Sequence, residues 1–211
     1  SDFGPVGWNR LGQDIDGEAA GDLSGYSVSL SADGSIVAIG AIYNNGVNGN
    51  RTGHVRVYQY DSNKDTAVTN QDSSDFGPVG WNRLGQDIDG ESVYDYTGEN
   101  QSVSLSADGS IVAIGAGNNS GNGNKSGHVR VYQYDSTKTT ADTNQSSPTF
   151  GPVGWNRLGQ DIDGESALTY LGTSVSLSSD GSTVVIGSYG SSSVKTYKIN
   201  LVVPIEMNML N

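Results

Sequence analysis

Short segments of the chain alternate apolar and polar residues, and this pattern predicts β-strands. The segment Ser27–Ala41 opens with Val28 and Leu30 placed between serines. After Asp33-Gly34, a mostly β-branched apolar run covers residues 36–39. Alternation with a period of two indicates a strand with one buried face, and an Asp-Gly pair between two such runs is typical of a hairpin turn. The segment is therefore predicted to form a β-hairpin.

Two other segments continue the strand pattern. HVRVYQY, residues 54–60, alternates two valines and a glutamine with an arginine and two tyrosines, which predicts a third strand with one apolar and one polar face. WNRLGQDI, residues 8–15, predicts a weaker fourth strand with Trp8, Arg10 and Gly12 on one face. No segment shows a convincing period of 3.6 residues, so the pattern favours an all-β chain.

The same segments recur in the same order. The phrase FGPVGWNRLGQDIDGE occupies Phe3–Glu18 and returns unchanged at residues 76–91 and 150–165. The hairpin segment returns at 102–116 and 174–188, and the HVRVYQY segment returns at 128–134 and, as SVKTYKI, at 193–199. The chain is therefore interpreted as a single repeat domain, 1–211, with repeats at approximately 1–74, 75–148 and 149–211. Each repeat of about 73 residues is predicted to form four strands.

The order of these motifs resembles an FG-GAP repeat, the repeat of the β-propeller in integrin α-chains and in bacterial and marine surface proteins. Gly25-Tyr26 matches the FG position, with Ser24 in place of Phe, and Gly40-Ala41-Ile42 matches the GAP position without its proline. The resemblance spans nearly the whole chain. It departs from the family at Ser31–Ser35, which holds one carboxylate where many members carry an acidic calcium loop.

The resemblance implies β-propeller-like blades, and a compact three-lobed fold of the prism or trefoil kind is the alternative. A blade would combine the hairpin, the HVRVYQY strand and the tryptophan strand of the following repeat. This leaves residues 8–15 without a blade and the last blade, 174–199, without an outer strand. Residues 8–15 could complete that blade, or Leu201–Ile205 could. Three blades make a sterically doubtful ring, so pairing with a second copy into six blades, or a longer array, is expected.

Charge and composition narrow the partners. The chain carries 11 basic and 23 acidic residues, a net charge of −12, whereas nucleic-acid binding needs clustered Lys and Arg. No segment approaches the roughly 20 apolar residues of a membrane span, so neither nucleic acid nor membrane insertion is expected. There is no Cys, which excludes disulfides. Because Ser1 begins almost inside a repeat, we expect the chain to be a piece of a longer protein.

Each copy of the repeated phrase ends in an acidic cluster of the form D-x-D-G-E. Carboxylate oxygens at this spacing are suitable ligands for Ca²⁺, which takes six to eight of them. The alternative is a strand end and turn in which the carboxylates cap backbone N–H groups. The candidate calcium ligands are Asp14, Asp16, Glu18, Asp87, Asp89, Glu91, Asp161, Asp163 and Glu165.

Catalysis is not expected from the sequence. Glycoside hydrolysis requires two carboxyl groups with different pKa values, and three identical copies in equivalent environments are predicted not to differ in this way. No G-x-S-x-G motif stands beside a credible base, and no phosphate-binding loop is present. His54 and His128 recur at one repeat position, where the third repeat has Ser193, so both are interpreted as structural.

The three tryptophans allow two interpretations. Trp8, Trp81 and Trp155 are expected to pack between blades, or else to form three aromatic platforms for a glycan. Five Asn-x-Ser/Thr sequons indicate an extracellular or cell-surface location. The sequence therefore favours a non-enzymatic module for protein interaction, adhesion or self-association through edge strands. A multivalent lectin or calcium-dependent binding module is the alternative.

Overall fold

The computed structural model describes residues 6–199, which form strands, turns and loops. The strands lie in three antiparallel sheets, and in each sheet the main strands follow one another in chain order. These propeller-like blades confirm the prediction of an all-β fold. Within residues 6–199 there is no helix that is long and apolar enough to cross a membrane.

The first two blades have five strands each and the third has three. The first blade contains β1 (Ser24–Leu30), β2 (Ile36–Ala41), β3 (His54–Tyr60), β4 (Trp81–Arg83) and β5 (Ile88–Asp89). The second contains β6 (Val103–Leu105), β7 (Ile111–Ala116), β8 (His128–Tyr134), β9 (Trp155–Arg157) and β10 (Ile162–Asp163). The third contains β11 (Leu171–Leu177), β12 (Thr183–Ser188) and β13 (Ser193–Lys198).

The outer strands of the first two blades come from the following repeat. β4 pairs with one end of β3, and β5 pairs with the other end. In the second blade, β9 and β10 pair with β8 in the same way. The predicted exchange of the tryptophan segment between repeats is therefore confirmed for these two blades.

The predicted hairpin turn is held by its own carboxylate. Asp33 accepts hydrogen bonds from the Ser31 hydroxyl at 2.7 Å and from the Ser35 backbone N–H at 2.9 Å. The bonds from the Ser35 backbone and the two hydroxyls lower the pKa of Asp33 to about 2. Asp108 and Asp180 make the same bonds in the later copies. The turn is thus a self-contained unit that local sequence specifies.

The predicted fourth strand is broken in two. β4 and β5 are separated by a bend at residues 84–87, where Gly85 has φ +66. A Cβ at Gly85 would lie 2.5 Å from Trp155 Nε1, so the next copy of the phrase packs directly on this bend. The continuous strand over WNRLGQDI was therefore wrong, because the chain turns here to receive the following tryptophan.

The first copy of the fourth strand does not form. Within residues 6–199, residues 8–15 belong to no strand, and β13 has no outer partner. The expectation that residues 8–15 complete the last blade of the same chain was therefore wrong. In the other copies the partner is the central strand of the preceding blade, and the described residues contain no blade before residue 8. The alternative strand at Leu201–Ile205 lies outside the described residues.

We call β3 and β8, the HVRVYQY strands of the first two blades, the central strands. They are buried on both faces, whereas the sequence predicted one buried face. Val55 and Val57 belong to an apolar core that also contains Val103 and Leu105 of the second blade. A second core joins the second and third blades. On the opposite face, Arg56 is also buried. The main cores therefore lie between blades, and the polar face of the central strand must find its partners inside the protein.

The three tryptophans share one local sequence but differ in burial, which gives a matched test of packing between blades. Trp155 is 0% exposed, whereas Trp8 is 75% exposed. Trp155→Ala is expected to lower the free energy of unfolding by about 3–5 kcal/mol through the cavity it leaves. Trp8→Ala is expected to change it by less than about 0.5 kcal/mol in dilute protein. Urea unfolding measures both, and equal losses would contradict the described packing.

Candidate functional site: arginine clasps between blades

The polar face of each complete central strand carries a buried arginine. Arg56 lies in the middle of β3, and Arg130 lies at the same register position in β8. Both are buried. A buried guanidinium is costly unless it is paired and hydrogen-bonded, so these two residues require carboxylates from elsewhere in the chain.

Arg56 binds carboxylates from two different repeats. Its Nε and Nη2 donate to the two oxygens of Asp87 at 2.8 and 2.7 Å, which is a bidentate pair. Nη2 also donates to Glu18 Oε1 at 2.5 Å. Glu18 comes from the first copy of the repeated phrase and Asp87 from the second. We call Glu18, Arg56 and Asp87 the first clasp.

A second layer holds the first clasp in place. Arg83 donates from Nη1 to Asp87 at 2.7 Å and from Nη2 to the Gln71 carbonyl at 2.5 Å. The ring of Phe76 lies 4.6 Å from Arg83 Cζ and 5.4 Å from Arg56 Cζ, within the range of cation–π contacts. The repeated phrase therefore contributes an aromatic ring, an arginine and a carboxylate to one ion-pair network.

A loop asparagine completes the network from the other side. Asn44 Nδ2 donates to Glu18 at 2.8 Å and to Asp22 at 2.9 Å. Asn44 is buried, although the sequence places it in a polar Asn/Gly loop. This loop position orients a carboxylate of the clasp.

The second clasp repeats these contacts one blade further on. Arg130 makes the bidentate pair with Asp161 at 2.9 and 2.7 Å and also binds Glu91. The third blade differs, because Lys195 takes the arginine position and pairs with Glu165. The supporting residues of the second clasp are Asn119, Gln145, Phe150 and Arg157.

Neighbouring carboxylates of the repeated phrase have opposite pKa shifts. Burial alone would raise the pKa of Asp87, but hydrogen bonds and the charge of Arg56 outweigh it and lower that pKa. The pKa of Glu18 is lowered for the same reasons. Burial, together with the charge of Asp87, raises the pKa of Asp89 to about 6. The pKa values of the two aspartates of one copy therefore shift in opposite directions, and the equivalent aspartates of the third copy shift in the same directions as these two.

Each clasp also encloses a histidine. His54 Nδ1 lies 3.7 Å from Asp87 Oδ2 and 4.0 Å from Glu18 Oε2, and it has no hydrogen-bond partner among the described residues. Burial lowers the pKa of His54, which favours the neutral ring. Glu18, His54 and Asp87 lie close enough together to approach one metal ion, as do their second-clasp counterparts. Two arginines already pair with the two carboxylates of each cluster.

The structure distributes the nine predicted calcium ligands over different environments. Glu18, Asp87, Glu91 and Asp161 bind clasp arginines. Asp14 and Asp16 are exposed, and Asp89 is partly buried at the end of β5. Asp163 is exposed, and Glu165 pairs with Lys195. Within one copy, Asp87 and Glu91 bind different arginines. Calcium binding at these residues remains a prediction.

Sequence reasoning missed the arginines as the centre of this network. Arg56 and Arg130 were placed on a polar strand face that was expected to meet solvent. The signal was present, since an Arg in the recurring HVRVYQY segment accompanies a recurring acidic phrase of opposite charge. Trp81 and Trp155 pack between copies of the phrase and are 8% and 0% exposed, so neither presents a ring face to a glycan.

A cavity of about 530 Å³ lies beside the two clasps. Asp87, Asp89 and Glu91 line it, together with Arg130 and Phe150. Residues 71–72, 141–143 and 145, from the segments that precede the second and third copies of the repeated phrase, form other parts of its wall. The cavity is therefore bounded by consecutive repeats and carries charges of both signs.

Two solved structures are similar to this chain in fold. Hydrazine synthase from Kuenenia stuttgartiensis is 16% identical with a TM-score of 0.44, and the match covers 81% of this chain and 44% of that one. The periplasmic gluconolactonase PpgL from Pseudomonas aeruginosa is 13% identical with a TM-score of 0.38, covering 82% and 38%. Both are β-propeller-like. The chain spans less than half the length of either protein.

The sequence matches no protein-family model and no curated protein.

One earlier expectation is corrected by the comparisons. The chain was expected not to be an enzyme, but one structure with a similar fold is a gluconolactonase. At 13% identity the likeness concerns fold alone and assigns no activity to this chain.

The first clasp predicts unequal effects of one substitution in two copies of the same sequence. Asp87→Asn leaves the buried Arg56 with one carboxylate and is expected to lower the free energy of unfolding by about 2–3 kcal/mol. Asp14→Asn changes an exposed side chain and is expected to cost less than about 0.5 kcal/mol. Chemical denaturation of both variants in dilute protein measures the difference. An unchanged free energy of unfolding in the Asp87→Asn variant would show that the clasp does not stabilise the fold.

Asp89 predicts a pH dependence of opposite sign to that of the clasp carboxylates. Its raised pKa stabilises the fold below the unfolded value of 3.8, and this contribution is lost as the pH rises through about 6. Asparagine does not ionise, so Asp89→Asn removes the loss of stability that ionisation of Asp89 causes. The variant should gain up to about 3 kcal/mol relative to the unaltered protein between pH 4 and pH 7. Urea unfolding across this range tests it, and a constant difference would contradict it.

Proposed function

We propose that the chain is a propeller-like scaffold module for protein interaction, adhesion or self-assembly at a cell surface or in an extracellular assembly. The supporting observation is that residues buried between internal blades are uncovered on the outer faces. Val28 and Leu30 of the first blade are 63% and 58% exposed. Their counterparts in the second blade, Val103 and Leu105, are 6% and 7% exposed against the first blade.

The outer face of the third blade, at the other end of the described structure, also exposes an apolar residue whose equivalents are buried between blades. By register with the preceding strand, Val194 takes the position of Val55 and Val129. The latter two are fully buried between blades, whereas Val194 is 69% exposed. Both outer faces thus carry apolar residues whose equivalents elsewhere are covered by a neighbouring blade. Exposed apolar residues whose equivalents are covered by a neighbouring blade support an interaction at these faces.

We infer further that the repeats are of the FG-GAP type. Gly115 of the GAP position lies against Gly172 of the FG position in the next repeat, and a Cβ at Gly115 would lie 2.0 Å from the Gly172 carbonyl oxygen. Gly40, at the first GAP position, lies near the Gly98 carbonyl oxygen at 2.7 Å, although the FG position of that repeat is Asn100-Gln101. In both cases the glycine of the GAP position lies against the backbone of the following repeat. The acidic surface and the five sequons support the extracellular location.

Sedimentation velocity of the 211-residue chain tests this function. We expect the mass to exceed one chain as concentration rises and to be the same with calcium or a chelator, because packing of apolar faces needs no metal. Val28→Asp with Leu30→Asp should weaken the association. Val47→Asp is the control, since Val47 is an exposed residue of a loop.

Two results would count against the scaffold proposal. A single chain at every concentration would remove self-assembly as the function. A mass that falls on chelation would favour the calcium-dependent module and would direct attention to the nine carboxylates.

A further inference from the structure

We propose that residues 8–16 of a second copy of this chain add to the third blade as its outer strands. Two copies then join head to tail through the contacts that join successive repeats within one chain. This inference rests on the proposed scaffold function and names the partner. It follows from unfilled positions at the two ends of the described structure, each of which is filled at the internal junctions.

The internal junctions show what such a contact requires. Trp81 Nε1 donates a hydrogen bond to the Leu11 carbonyl at 3.2 Å, and Trp155 Nε1 donates to the Leu84 carbonyl at 3.0 Å. Each copy of the repeated phrase therefore receives the tryptophan of the next copy. Leu158 of the third copy corresponds to Leu11 and Leu84, so its carbonyl is the next acceptor in the series. The one exposed tryptophan of the described residues is Trp8, which could supply the donor from a second copy.

The glycine after that leucine marks the receiving position. A Cβ at Gly12 would lie 2.7 Å from Trp81 Nε1, and one at Gly85 would lie 2.5 Å from Trp155 Nε1. At Gly159 no described atom lies within 4 Å of the same point. The first two glycines keep space for a tryptophan that is present. Gly159 keeps the same space, and no described tryptophan enters it.

The glycine before each tryptophan shows the same difference between internal and terminal copies. A Cβ at Gly80 would lie 2.6 Å from Gly12 Cα, and one at Gly154 would lie 2.5 Å from Gly85 Cα. Gly7 is the equivalent residue in the first copy, and no described atom lies within 4 Å of its Cβ position. Gly7 and Gly159 are thus the two unfilled halves of one recurring contact.

Strand register fixes where the second copy would lie. In the first blade Gln59 is paired with Asn82, and in the second blade Gln133 is paired with Asn156. Register with the preceding strand places Lys198 at the position of Gln59. The strand β13 has no outer partner within residues 6–199. Asn9 of a second copy therefore stands opposite Lys198.

The charges at the two ends are complementary. Arg56 and Arg130 each bind an aspartate of the following repeat, at Asp87 and Asp161. Lys195 occupies the same position in the third blade. The aspartate that completes the series is Asp14, whose side chain is 72% exposed. A second copy brings Asp14 to Lys195 and forms a third clasp with Glu165.

Residues 6–199 do not fill these positions within one chain. Trp8 is exposed and Gly159 is open in the same structure, so the first segment does not reach its own third blade. A head-to-tail junction uses different surfaces on the two copies. It closes into a ring if the rotation per blade permits and otherwise extends as an open array. Both outcomes contain the junction proposed here.

Cysteine cross-linking tests the junction directly, because the chain has no cysteine of its own. Chains carrying Asn9→Cys are mixed with chains carrying Lys198→Cys and oxidised. We expect a disulfide-linked dimer that contains one chain of each kind. The matched control is Gln59→Cys with Asn82→Cys in one chain, the same register pair inside the first blade. The control establishes oxidation conditions under which two cysteines at this register form a disulfide.

The tryptophan supplies a second, independent measurement. Trp8→Ala is expected to weaken association at least about tenfold in sedimentation equilibrium, because it removes the residue that enters the Gly159 site. Val47→Ala also removes an exposed apolar side chain, but from a loop outside the junction, and should leave association unchanged.

The outcomes separate this junction from the proposed function. If association persists without a disulfide between positions 9 and 198 and without any effect of Trp8→Ala, the scaffold function stands and this junction is overturned. A chain with both cysteines that cross-links only within itself would show that residues 8–16 complete their own blade. A chain that stays single at all concentrations would overturn this junction and would remove self-assembly as the function.

Discussion

The structure depends on satisfying a buried arginine on the central strand of each complete blade. A guanidinium at Arg56 or Arg130 cannot remain in the interior without carboxylates, and the carboxylates come from two successive copies of the repeated phrase. One copy contributes the glutamate and the next contributes the aspartate. Consecutive repeats are therefore joined by charge as well as by apolar packing. The first aspartate and the glutamate of the acidic end, D-x-D-G-E, therefore serve successive clasps.

The repeated phrase is a connector with two ends that serve different blades. Its tryptophan and arginine belong to the outer strand of the preceding blade, whereas its glutamate binds the central arginine of its own blade. Between them, Gly85 bends the chain and receives the following tryptophan. A catalytic site needs one copy of its residues, but a connector is needed at every junction. Repetition therefore supports a scaffold function, although it does not exclude catalysis in the cavity beside the clasps.

Identical sequence does not give identical environment in this chain. Trp8 is exposed where Trp155 is buried, and Asp14 is exposed where Asp87 binds two arginines. The difference lies in the neighbouring blade. An internal copy has a central strand before it to pair with, and the first copy has none among the described residues. The outer faces and the open glycines at Gly7 and Gly159 have the same origin, which is why one kind of partner fits both ends.

The sequence by itself determined the hairpins and the HVRVYQY strands, which depend on local alternation and on the Asp33-Gly34 turn within short stretches of chain. The exchange of outer strands between repeats was expected from the resemblance to FG-GAP repeats. Tertiary structure alone decided the break at Gly85, the loss of the strand at residues 8–15 and the burial of Arg56. Each of these depends on whether another blade is adjacent, and the residues that decide it are some 70 positions away. Local pattern therefore predicts which strands can form, whereas contacts between blades decide which of them form and which polar groups are buried.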